Sequence, residues 1–193
     1  MLTVLNNFDH SLFLSIHHFR NGFLDLVMPW ITIRWFWIPL YALMLFFTWK
    51  RFGKQTLVIA LTVVALIVAS DQSANLLKNS TQRLRPCHDP ALEQENVITP
   101  LGCGGQYGFV SGHAANSAAV ALFFFLLAGQ ANGFAPAKRK WWSLLFVWTI
   151  VVCWSRIYVG VHFPFDVLVG MLIGFIYAVL FFILYKKLLP VLR

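Results

Sequence analysis

Charge is scarce in this chain. Only 11% of its 193 residues are charged and seven are acidic, whereas a soluble domain carries about 25% charged residues. Cysteine is scarcer still, at three residues, which excludes a disulfide-dense scaffold. There is no low-complexity tract and no internal repeat, so a disordered tail or a solenoid is excluded as well. What is present is apolar: 59% hydrophobic and 17% aromatic residues, with a mean hydropathy of +0.71. A soluble globule of this length could not bury that much apolar side chain. The composition therefore predicts one domain, residues 1–193, seated in a bilayer.

The net charge of +8 is unevenly placed. Lys50, Arg51, Lys54, Lys138, Arg139, Lys140, Lys186, Lys187 and Arg193 form three clusters with no acidic residue among them. Arg20, Arg34, Lys78, Arg83, Arg85 and Arg156 share the rest of the chain with all the acidic residues. A nucleic-acid binder would show a continuous basic face, so no nucleic-acid partner is expected.

A crossing of the hydrocarbon core takes about 20 mostly apolar residues. Five segments qualify by length or density: about 34–49, then 55–77, 113–129, 141–155 and 164–185. The expected fold is all-α, a polytopic transmembrane helix bundle of about five crossings. Residues 1–33 form an interfacial and extension segment, because Asp9, His10, Ser15, His17, His18 and Arg20 alternate there with apolar residues. The segment lacks a charged leader and a small-residue cleavage site, so no removable signal is expected. Residues 34–193 form the transmembrane core with an outer loop at 79–112. With five crossings the three basic clusters fall on one side, which the positive-inside rule makes the cytoplasm.

The other side gathers an unusual set. Lys78 closes the second crossing, with Arg83, Arg85 and Pro86 after it; Ser111, Gly112 and His113 open the third; Ser155 and Arg156 close the fourth; His162 and Asp166 open the fifth. Lys and Arg donors bind phosphate oxygens, Arg through a planar fork. Helix N-termini add free N–H groups. Phosphoryl transfer needs mostly positioning and charge neutralisation, plus a nucleophile and a proton donor. Two histidines are present, and Asp166 stands four residues after His162, on the same helical face. No second carboxylate and no metal-ligand spacing accompany them, so neither a metal nor a cofactor is expected.

The pieces Lys78-x6-Arg85-Pro86, Ser111-Gly112-His113 and Ser155-Arg156-x5-His162-x3-Asp166 resemble the three-part signature of the type 2 phosphatidic acid phosphatase family, the membrane branch of a superfamily that includes vanadium haloperoxidases. The resemblance implies a phosphohistidine on His162, oriented by Asp166, with His113 protonating the leaving group and then activating water. It implies Lys78, Arg85, Ser111, Gly112 and Arg156 as phosphate ligands, and no metal. Val110 stands where the family usually has Pro. Many members have six crossings, so five here imply an N-terminus on the outer side.

Other residues admit two readings. Asp71 and Asn116, with Ser155, are expected to support the site; packing is the alternative for Asp71 and Asn116. Arg83 is expected to pair with a lipid headgroup, and His10, His17 and His18 to sit idle at the interface. His88 is expected to stay outside the chemistry. Cys87 and Cys103 are either bridged or free. The glycines at 102, 104, 105 and 108 suit a mobile lid or a plain connection. Seven tryptophans (Trp30, Trp35, Trp37, Trp49, Trp141, Trp142, Trp154) are expected to anchor the interfaces. Gly170 and Gly174 serve either internal packing or a dimer.

The expected function is hydrolysis of a terminal phosphate or diphosphate from a membrane lipid: undecaprenyl diphosphate, phosphatidylglycerol phosphate, phosphatidic acid or lipid A. Substrate would enter sideways between helices, and the family analogy suggests a bacterial inner membrane with the site on the periplasmic face. The alternatives are a vanadate-dependent haloperoxidase and a non-catalytic headgroup-binding protein.

Overall fold

The computed structural model describes residues 2–130 and 140–188. Lys138, Arg139 and Arg193 of the basic clusters lie outside the described residues. Among the described residues there is no strand, only one isolated bridge between Leu84 and Tyr107. The chain runs through α1 (Leu2–His17), α2 (Gly22–Thr32), α3 (Ile38–Phe52), α4 (Thr56–Thr81), α5 (Gly112–Ala128), α6 (Leu144–Tyr158) and α7 (Pro164–Leu188).

Local chemistry sets these boundaries. Asn21 caps α2 by accepting the Leu24 N–H, a usual role for Asn at this position. Proline opens α3 at Pro39 and α7 at Pro164, where a missing N–H does no harm. Gly53 at φ +53° ends α3, and the chain reverses there. Tyr41 on α3 and Ile67 and Val68 on α4 consequently face one cavity. The runs 34–81, 140–158 and 164–188 are long and apolar enough to cross a membrane, while Gly22–Thr32 and Gly112–Ala128 are shorter apolar helices. Exposed Leu57, Leu61, Val64, Leu168, Leu172 and Ile176 cover the outer faces of α4 and α7, as lipid-facing surfaces require. The described basic residues Lys50, Arg51, Lys54, Lys140, Lys186 and Lys187 sit at the helix ends opposite the Lys78, His113 and Asp166 end.

The centre of the bundle is α5. Ala114, Ala115, Ala118, Ala119 and Ala121 are fully buried, and α7 lies against them. A Cβ on Gly170 would come within 2.6 Å of the Ser111 carbonyl oxygen, and one on Gly174 would overlap the Ala115 carbonyl. The small-residue pair thus serves close helix packing inside one chain.

Two expectations need correction. The N-terminal helix does not simply float at the interface: Asp9, Phe13 and His17, spaced by one turn, are at most 1% exposed. His17 Nδ1 donates to the Tyr158 carbonyl at 2.9 Å, and Nε2 accepts from the Ile98 N–H at 3.0 Å. His10 stacks on Phe163 and pairs with Asp89 at 3.3 Å. Trp142 is no interfacial anchor either, since it is buried and stacked on Phe124. The cost of desolvating these residues is offset because each has a partner inside: a ring for His10, Phe13 and Trp142, backbone groups for His17, and the Arg83 guanidinium and Phe165 N–H for Asp9.

Candidate active site

On α4, Asp71, Asn75 and Lys78 occupy one face. Asn75 Nδ2 donates to Asp71 Oδ2, and Lys78 Nζ donates to Asn75 Oδ1, both at 3.3 Å. Asn116 Nδ2, from α5, donates to Asp71 Oδ1 at 3.3 Å. Asp71 therefore anchors a short relay that aims Lys78, and Asn116 belongs to it. Gly112 permits this: a Cβ there would stand 3.1 Å from Asp71 Oδ1 and 3.8 Å from Lys78 Nζ.

Arg85 is fixed by the outer loop. Its Nε donates to the Tyr107 carbonyl at 3.1 Å and its Nη1 to the Cys103 carbonyl at 2.6 Å. The backbones pair as well, Arg85 N–H with Gln106 O and Gly108 N–H with Arg83 O. Cys87 and Cys103 are joined as a disulfide with Cα atoms 6.1 Å apart. The glycine-rich end of this loop is thus a clasp on Arg85 and not the lid that its composition suggested. His88 lies off to one side, in an outer hollow with Glu93 and Asn96.

Arg156, near the end of α6, donates from Nη1 to Thr32 Oγ1 of α2 at 2.6 Å. The neighbouring Ser155 does not support the phosphate site with its hydroxyl, which donates instead to Val152 O of its own helix at 2.7 Å. Beyond α6 the chain turns through His162, which is 2% exposed. Burial, reinforced by the cations Arg156, Arg85 and Lys78, holds its imidazole well below the usual range, so the ring is neutral at pH 7. His162 Nδ1 stands 3.6 Å from Asp166 Oδ2. That same oxygen accepts the Phe163 N–H at 2.9 Å, and the Asp166 carbonyl accepts the Ser111 N–H at 2.9 Å, tying α7 to the start of α5.

Arg83 does not reach for a lipid headgroup. Its guanidinium bridges Asp166 Oδ1 at 2.7 Å and Asp9 Oδ2 at 2.6 Å. Both carboxylates are fully buried, and a buried carboxylate without a cation is costly. Neither Asp9 nor Thr32 stood out in the sequence. For Asp9 a signal existed in the one-turn spacing of Asp9, Phe13 and His17; for Thr32 there was none.

A cavity of ≈ 670 Å³ joins these parts. Lys78, Arg85, His113, Arg156 and His162 line it, and so do the apolar Trp35, Ile38, Tyr41 and Val68, with Arg34 beside Trp35. Of the eight buried side-chain polar atoms without a hydrogen-bond partner among the described residues, Ser111 Oγ, Asn116 Oδ1 and Arg156 Nε lie at this site, and a fourth, His162 Nδ1, has only Asp166 facing it at 3.6 Å. Unpartnered polar atoms are rare in protein interiors, and their concentration here marks a place built for a polar ligand. Four cations, Arg34, Lys78, Arg85 and Arg156, and free donors suit an oxyanion, and a neutral imidazole beside a carboxylate suits nucleophilic attack.

The family model of the PAP2 superfamily matches residues 56–190. A lipid A 4'-phosphatase of Bacteroides thetaiotaomicron is 30% identical, the match covering 97% of this chain and 81% of that protein. An undecaprenyl-diphosphatase of Sulfolobus acidocaldarius is also 30% identical, over 86% of this chain and 73% of that one. The crystal structure of a transmembrane PAP2 type phosphatidylglycerolphosphate phosphatase from Bacillus subtilis superimposes with a TM-score of 0.70 at 23% identity, covering 98% of this chain and 88% of that one. The motif residues, the helical bundle around them and these matches agree: the chain belongs to the PAP2 superfamily, as an integral-membrane phosphatase.

Proposed function

We propose that the enzyme removes a terminal phosphate from a membrane lipid through a phosphohistidine on His162. The observation that carries this reading is a cavity whose lining combines cationic side chains with the apolar Trp35, Ile38, Tyr41 and Val68. A phosphate headgroup fits Lys78, Arg85 and Arg156, while the acyl or prenyl chain lies along Trp35, Ile38 and Tyr41. Ile38 and Val68 are more than half exposed on lipid-facing helices, which supports entry from the side. Lipid A carrying a 4'-phosphate is the first candidate, since a relative of nearly full-length match bears that name; undecaprenyl diphosphate is the second.

His162 Nδ1–H faces Asp166, leaving Nε2 to attack phosphorus. The N–P bond forms as the P–O bond to the lipid breaks, and His113 protonates the departing oxygen. Lys78, Arg85, Arg156, the Ser111 hydroxyl and the α5 N-terminus at Gly112 hold the equatorial oxygens. Water then attacks the phosphohistidine, His113 takes its proton, and the N–P bond breaks. The basic ends opposite the site support an orientation with the cavity on the outer, periplasmic face of a bacterial inner membrane.

The test is phosphate release by the purified protein from a panel of the four lipid classes, with chelator present. Turnover without added metal, inhibition by vanadate and a fall of about 10³-fold or more in His162→Ala are expected. Full activity of His162→Ala, or strict dependence on magnesium, sinks the mechanism.

A further inference from the structure

The nucleophile is reached by a second route, from the N-terminal helix. Asp9 on α1 accepts the Phe165 N–H on Oδ1 at 2.9 Å, in the first turn of α7, and Arg83 Nη2 on Oδ2 at 2.6 Å. Arg83 Nη1 continues to Asp166 Oδ1 at 2.7 Å, and Asp166 Oδ2 faces His162 Nδ1 at 3.6 Å. The guanidinium also lies 4.5 Å from the centroid of the Phe163 ring, the residue after His162. Asp9, Arg83, Asp166 and His162 thus form one chain of contacts from α1 to the imidazole.

Its electrostatics are uneven. Burial pushes the Asp9 carboxyl up, while Arg83 and the Phe165 N–H pull it down. Two carboxylates share one guanidinium, leaving the buried group one negative charge in excess. With Asp9 present, Arg83 is divided between two anions, and Asp166 keeps negative potential for an imidazole that becomes cationic on phosphorylation. Without it, Arg83 is drawn wholly onto Asp166, neutralising that carboxylate and pulling it away from the ring. The other titratable and charged groups that share the cavity with His162 are Lys78 and Asp71 of α4, Arg85 of the loop, His113 of α5, Arg156 of α6 and Arg34 between α2 and α3. None of these is an anion in contact with the ring.

We propose that Asp9 and Arg83 are positioning residues: Asp9, acting through Arg83, sets the orientation and charge of Asp166 against the reacting histidine. The proposal rests on the reading of His162 as nucleophile. Asp9→Asn retains an acceptor for the Phe165 N–H and puts an NH2 donor where Oδ2 accepts from Arg83, so it removes both the charge and the link to the guanidinium. In the full-length enzyme it is expected to lower kcat roughly tenfold with KM within about twofold. It is also expected to move the acid limb of the kcat profile to lower pH, because His162 loses a nearby anion. Arg83→Gln should give a similar fall, and Asp9→Asn should add nothing in that background. An unchanged kcat and acid limb with only a lower Tm overturns the proposal, as does additivity in the double variant. Titration of the His162 imidazole in nitrogen-labelled protein, its resonance identified by loss in His162→Gln, makes the comparison without turnover. A lower pKa in Asp9→Asn supports the proposal, and an unmoved one overturns it. Absence of phosphate release by the unaltered protein would instead overturn the functional reading and leave this titration standing.

Discussion

Both nitrogens of His17 are committed to backbone partners, one donating to Tyr158 O and one accepting from Ile98 N–H. A proton added at Nε2 would point at that N–H, so the folded protein holds this imidazole neutral, and burial lowers its pKa from the ordinary 6.5. The sign follows: unfolded chain binds this proton more readily, so stability is full above pH 6.5 and lost as pH falls through the lower folded value. The slope it contributes is at most about 1.4 kcal/mol per pH unit. Tm of the detergent-solubilised protein should therefore fall between pH 7 and 5, and His17→Gln, which supplies an acceptor that does not titrate, should flatten that fall. An identical slope in the variant would remove His17 from the account. Arg156 shows the opposite economy: one nitrogen is pinned by Thr32 while Nε has no partner among the described residues, so the guanidinium is held in place with a donor in reserve.

Among the elements, the contact of α5 with α7 decides whether the site exists, since it brings Ser111 and Asp166 together. Gly174→Ala drives a methyl into the Ala115 carbonyl and should destabilise the fold by about 3 kcal/mol, whereas Leu172→Ala, on the lipid-exposed side, should leave Tm nearly unchanged. Thermal unfolding in detergent separates the two; equal Tm values would mean that the helices can part without loss. The sequence made the helical positions and the motif residues at their ends legible, because hydropathy and helix-end placement are local properties. It left the Gly170 and Gly174 pair open between two uses, since small residues mark a close approach without naming the partner. It misjudged Arg83, because a cation beside a motif reads as surface until the buried carboxylates 74 and 83 residues away are in view. The 83–85 and 106–108 pairing was hidden for a similar reason: glycine composition reports freedom, whereas the isolated bridge and the Arg85 donors that tie this segment down join residues about 20 positions apart.

At the scale of the molecule, the scarcity of charge and its segregation were readable from composition and residue order, and they match a body in which Lys50, Arg51, Lys54, Lys140, Lys186 and Lys187 sit at the helix ends away from the site. The shape of the cavity was not readable, because its apolar wall comes from the α2–α3 elbow and from Ile67 and Val68 of α4, none of which belongs to a motif. That wall has a kinetic consequence. If the substrate arrives along Ile38, Tyr41 and Val68 without leaving the membrane, the enzyme senses how crowded its neighbourhood is with substrate lipid. The amount in the test tube then matters little. At fixed total lipid phosphate, adding inert detergent or carrier lipid should slow turnover in proportion to the fall in substrate mole fraction. Rates that followed bulk concentration instead would place the entrance on the aqueous side. Entry from the side would make the molecule a two-dimensional catalyst, for which the bilayer is the solvent, the delivery route and the unit of concentration.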